Sequence, residues 1–183
     1  MKDGREKLHL CEDILEMADA IGLDRGVFPL DGSAQELHDN FNGVGDDRLG
    51  ESLIAILDWC YRYVPAGAAF HDYDWSTIPL KLRVLYNQRR WTKKKLWKRS
   101  LAEFKKSNKR FYKNMVKIIN HLWPRFVTVR VLGLNIPVWR ADTAPRRVVE
   151  LGKAAAAYAA VSSSRGWSSW DDNFPAYLQE GKG

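Results

Sequence analysis

Apolar residues recur three or four positions apart through much of this chain, the spacing that lines one face of an α-helix. In REKLHLCEDILEMADAI, residues 5–21, Leu8, Cys11, Leu15 and Ala18 make such a face, and Gly22 follows as a stop. ESLIAILDWCYRYV, residues 51–64, is strongly apolar with polar positions at Asp58 and Arg62, the pattern of a buried helix. Pro65 breaks it and fits the first position of another, short helix, which Pro79 is expected to close. Leu101, Phe104, Phe111, Met115, Ile118, Ile119 and Leu122 predict the buried stripe of a long helix ending near Pro124. KAAAAYAAV, residues 153–161, reads as a further helix. FVTVRVLGLNIPVW, residues 126–139, alternates briefly, which suits a strand or hairpin. Residues 26–50 are glycine-rich and read as loop, and the chain from Ser162 onward, rich in Ser, Gly and Trp, reads as irregular. The expected architecture is mainly α: one helical domain over 1–161, a small β-hairpin at most near 126–139, and a tail over 162–183.

Composition narrows the class. At 183 residues, 45% hydrophobic and 12% aromatic, the chain can form one real core and is not a disordered polymer. Cys11 and Cys60 are the two cysteines, too few for a disulfide framework, which suits a reducing, cytoplasmic setting. The N-terminal stretch does not read as a signal peptide, and no apolar run approaches the roughly 20 residues that span a bilayer. The net charge of +7 points to an anionic partner. That charge is polarised: between Lys81 and Lys117, fifteen Lys or Arg stand against Glu103 alone, a local balance of +14, so the remainder by difference is −7.

Three stretches carry candidate chemistry. PAGAAFHDYDW, residues 65–75, places His71 beside Asp72. An imidazole titrates near neutrality and can take a proton from water, while a carboxylate is a hard oxygen ligand. An exposed His-Asp pair decorating a helix is the plainer reading. FNGVGDD, residues 41–47, alternates Gly43 and Gly45 so that successive carbonyl oxygens can converge on a cation such as calcium; a simple turn is the alternative. In FKKSNKRFYKNM, Asn108 shares a helical column with Phe104, Phe111 and Met115, so its amide needs a buried partner. A histidine ring is one such partner, and a neighbouring backbone group is another.

Together these stretches resemble the phospholipase A2 superfamily, in its disulfide-poor viral and phage-type branch, over about residues 41–120. The resemblance implies a helix pair carrying His71 as general base, and calcium held by Asp72 with the loop carbonyls of Phe41, Gly43 and Gly45. It also implies a virion-associated setting and a lipid ester as substrate. The ring-orienting position falls on Asn108, with Phe111 following. The family carries Asp there; an amide orients a ring but does not stabilise an imidazolium, so weakened catalysis is expected. Asp74 is a candidate substitute carboxylate.

The basic window admits several partners. Lys93, Lys94, Lys95, Lys98 and Arg99, interleaved with Trp91 and Trp97, suit an anionic lipid surface. They suit nucleic acid equally well, through phosphate neutralisation and base stacking, and an acidic protein partner in an assembly also fits. A rival metal chemistry, that of HD-type phosphohydrolases, would combine His38, His71, Asp72 and Asp142. His9 and His121 read as packed or surface residues and Cys60 as inert core, while Trp167 and Trp170 suit a tail folded back on its own domain.

Overall fold

The computed structural model of the chain describes residues 4–40, 59–60, 64–131 and 134–179, with side chains from Leu8 onward. Six α-helices and one two-stranded sheet lie among the described residues. They run α1 (Gly4–Ile21), α2 (Ala34–Asn40), α3 (Pro65–Gln88), α4 (Lys93–Leu122), β1 (Phe126–Val131), β2 (Leu134–Trp139), α5 (Ala144–Val161) and α6 (Ser164–Asp171), followed by a 3-10 turn at Ala176–Leu178. Trp59 and Cys60 are helical; the rest of the helix expected over 51–63 lies outside the described residues.

α1 ends where its pattern ends. Gly22 takes a left-handed φ of +64°, and the Leu23 amide reaches back to the Ala18 carbonyl at 2.9 Å, satisfying one of the carbonyls a helix terminus leaves open. The chain then lies across α4. Asn114 clamps it from both sides: its Oδ1 accepts from the Asp24 amide at 3.1 Å and its Nδ2 donates to the Asp24 carbonyl at 2.8 Å. The glycine-rich segment read as loop in fact holds α2, capped by Ser33, whose hydroxyl accepts from the Glu36 amide.

α3 and α4 form the centre of the molecule. A four-residue turn, 89–92, joins them, and Thr92 caps α4 by accepting from the Lys95 amide. They run antiparallel: His71 faces Asn108, while Ile78 and Leu82 share a cluster with Leu96 and Phe104. The sequence reading ended α3 at Pro79, yet the helix continues through it to Gln88. Proline removes one backbone bond, but Pro79 is buried and its neighbours Ile78 and Leu82 pack with α4 and the C-terminal segment, and that apolar burial outweighs the lost bond.

The core has two parts. The larger gathers α1, α2, Trp59 and Cys60, the first turns of α3, the second half of α4, and Ala154 and Ala157 of α5. The smaller joins the end of α3 and the start of α4 to Trp170, Phe174 and Leu178. The segment read as an irregular tail therefore forms α6 and an anchored terminus: Trp170 is fully buried and its indole donates to Ser100 at 2.8 Å. Within the predicted stripe of α4, Leu101 and Leu122 are exposed and the five residues between them are buried.

The hairpin stands apart. β1 pairs antiparallel with β2 from Phe126↔Trp139 to Val131↔Leu134. Val127 is half-buried, and the other described residues of both strands are exposed, Leu134 by 68%.

Candidate functional site

The first two turns of α3, from Ala66 to Phe70, are buried nearly all round, so the chain delivers His71 into the interior. The ring is 7% exposed and lies between Trp75, one turn along α3, and Phe111 of α4, with ring centroids 4.6 Å away on both sides. Its Nε2 stands 2.9 Å from Asn108 Oδ1. The Asn108 amide is oriented by a second bond, Nδ2 donating to the Val161 carbonyl at the end of α5 at 3.1 Å. With Oδ1 thereby the acceptor, the ring carries its proton on Nε2 and keeps the lone pair on Nδ1. Nδ1 is 4.0 Å from Asp72 Oδ1, and the Asp72 side chain is 26% exposed.

Burial pushes His71 down from its ordinary value to about 4, against the opposing effect of the Asn108 bond, and the Arg110 charge lowers it further. The ring is therefore neutral at physiological pH. Cys60 is buried too; desolvation first and the Asp72 charge second push its thiol up to about 12, so it stays protonated and unreactive.

Asp74 is engaged elsewhere. Its carboxylate forms a buried ion pair with Arg110 and accepts from the Val27 amide at 3.0 Å. Burial pushes this carboxyl up, and the Arg110 charge and the Val27 amide pull it back. Arg110 also reaches Asp24 at 3.2 Å through Nε. Gly26, at φ +70°, lies against this pair, and a Cβ there would collide with both partners. A cation counted in the basic window is thus an internal strut.

Glu150, which local pattern does not single out, is a fully buried ionisable residue. It accepts from the Trp59 indole, from Arg146 at 2.7 Å and from Lys153 at 3.4 Å, tying α5 to the helical turn at Trp59. Its spacing to Ala154 and Ala157, four and seven residues on, was the faint signal available in the sequence.

The loop carbonyls of Phe41, Gly43 and Gly45 lie outside the described residues. Among the described residues, no group of three or more His, Cys, Asp or Glu could hold a metal ion. The HD-type set accordingly does not assemble: His38 sits on α2 with Asp39 at 3.0 Å, and Asp142 is chelated by Arg140 after the hairpin. Lys93, Lys94, Lys95, Lys98 and Arg99 are all exposed. Trp91 and Trp97 are half-buried and turned toward the protein. Trp91 packs on the smaller core cluster with the Lys95 ammonium 5.1 Å from its ring, and Trp97 meets Trp167 and Phe174 at 6.0 and 5.7 Å.

The chain matches no protein-family model, no curated protein and no solved structure.

Proposed function

We propose that the chain is a phospholipase A2-like ester hydrolase of viral or phage type whose general base, His71, is attenuated by the amide at position 108. One observation carries this reading. The Nε2 proton of His71 is committed to Asn108 across the antiparallel helix pair, which leaves the Nδ1 lone pair beside Asp72. A water molecule reaching Nδ1 would give up a proton there and attack an ester carbonyl, with no covalent enzyme intermediate. With its proton affinity lowered to about 4, the ring is a weak acceptor, and Asn108 offers the nascent imidazolium no charge. The donor chemistry of Asp72 and of the carbonyls of Phe41, Gly43 and Gly45 suits calcium, which when bound supplies Lewis-acid polarisation of the ester.

The test is fatty-acid release from phosphatidylcholine vesicles containing phosphatidylglycerol, with calcium present. Asn108→Asp should raise the native rate by about tenfold or more, since a carboxylate in this position stabilises the charged ring. His71→Gln in the Asn108→Asp background should abolish release. If folded Asn108→Asp protein is as silent as the native chain, the hydrolase reading fails and the non-enzymatic alternative, a basic assembly or nucleic-acid-binding protein, replaces it.

A further inference from the structure

Two cations of α4 bond within the fold. Arg110 turns inward to Asp74, and Lys117 bonds the Gly22 carbonyl at 2.5 Å. Lys95, Arg99, Lys106, Lys109 and Lys113 are exposed, and no carboxylate among the described residues lies within ion-pair range of them. At 100° per residue they fall on the flank of α4 opposite Phe104, Phe111 and Ile118. From Lys95 to Lys113 the row runs about 27 Å along a helix that rises about 1.5 Å per residue.

This arrangement works against the stability of the helix. Lys95–Arg99, Lys106–Lys109 and Lys109–Lys113 are like-charge neighbours one turn apart, and the first turn of α4 holds Lys93, Lys94 and Lys95 with no acid to balance the helix dipole. Arg90, in the preceding turn, takes a left-handed φ of 48°, where glycine is at ease. Among the described residues no carboxylate pairs with these cations to relieve the repulsion; a polyanion laid along the row would.

The identity of the polyanion follows from what the row lacks. The row brings no apolar side chains of its own to a bilayer, because the apolar face of α4 is already buried in both core clusters. Single-stranded nucleic acid is held on exposed aromatic rings, and Trp91 and Trp97 are packed against the protein. A straight row of point charges with no stacking platform matches a stiff rod of phosphates, and its length is close to one turn of duplex, about 34 Å.

We propose that the outward face of α4 docks on the phosphate backbone of double-stranded nucleic acid, without reading its sequence. The surface lies on the opposite flank of α4 from the core, and its test needs no hydrolysis, so this inference stands or falls independently of the reading of His71.

Fluorescence anisotropy with a labelled 24-base-pair DNA duplex, titrated across sodium chloride concentrations, tests it. The native chain should bind the duplex more tightly than a single strand of equal length. Lys106→Gln/Lys109→Gln should flatten the plot of log affinity against log salt by about two, because each lost phosphate contact removes about one from the slope. Arg130→Gln/Arg165→Gln removes the same charge from exposed sites off α4 and should leave the slope nearly unchanged. The proposal is overturned if both pairs change the slope equally, if the single strand binds as tightly as the duplex, or if phosphatidylglycerol vesicles retain the chain and the duplex does not.

Discussion

His71 stays neutral across the physiological range because protonation would place a charge between two aromatic rings and away from water. Its folded value of about 4 lies below its ordinary 6.5, so between these limits the unfolded chain binds the proton and the folded chain does not. The burial therefore contributes stability that is fully present above pH 6.5 and is lost as pH falls toward 4. The size is on the order of 3 kcal/mol. Urea unfolding of the native chain and of His71→Gln, in EDTA, should show this acid-side loss in the native chain only; parallel curves would refute the buried neutral ring. The buried Asp74–Arg110 pair makes a second prediction at this scale. Arg110→Met leaves a buried carboxylate without its cation and should cost about 3–5 kcal/mol, read as a lower urea midpoint with an unchanged slope. The inward position of Asn108 was legible in the sequence because it shares a column with Phe104 and Met115. The destination of Arg110 was not, since Asp74 and Asp24 meet it only once three segments have packed.

At the scale of elements, α4 and the hairpin are opposites. α4 is amphipathic, and one side is absorbed into the core along its whole length. The hairpin has a clear strand pattern, yet its strands pair with each other and leave Phe126, Val129, Ile136 and Val138 exposed, while the Arg140 amide closes its base on the Arg125 carbonyl at 3.1 Å. Isolated hairpins are marginal in water, so this one adds little to the stability of the helices beneath it. Replacing residues 126–139 by a Gly-Gly link should leave the helical melting temperature within about 1 °C of the native value, under the roughly 2–4 °C that a 1 kcal/mol loss produces in a domain of this size. A collapse of helical circular dichroism would show instead that the hairpin supports the fold. The end of α3 lay beyond local reading for the opposite reason. Pro79 signals a stop on its own, and partners on α4 and the C-terminal segment reverse that signal.

For the whole molecule, the division of +14 against −7 leaves the segment from Lys81 to Lys117 under self-repulsion. Like-charge neighbours one turn apart on a helix cost about 0.2–0.5 kcal/mol each at low salt, and sodium chloride screens them. The melting temperature should therefore rise as sodium chloride goes from about 10 mM, where the screening length is about 30 Å, to about 150 mM, where it is near 8 Å. A fall would mean that favourable surface pairs outweigh the repulsion.

By itself the sequence determined the mainly helical character, the stripe of α4 with Asn108 in its inward column, the hairpin and the cationic flank, because periodicity and charge are properties of neighbours along the chain. Only the tertiary structure decided that Trp91 and Trp97 serve the interior, that the Ser- and Trp-rich end becomes α6 with Trp170 buried, and that Asp74 belongs to Arg110. It also decided that Glu150 is sealed beneath Arg146 and Lys153. Each of these depends on which distant surfaces meet, and a buried group's partner is fixed by whatever packs against it, information that local spacing does not contain.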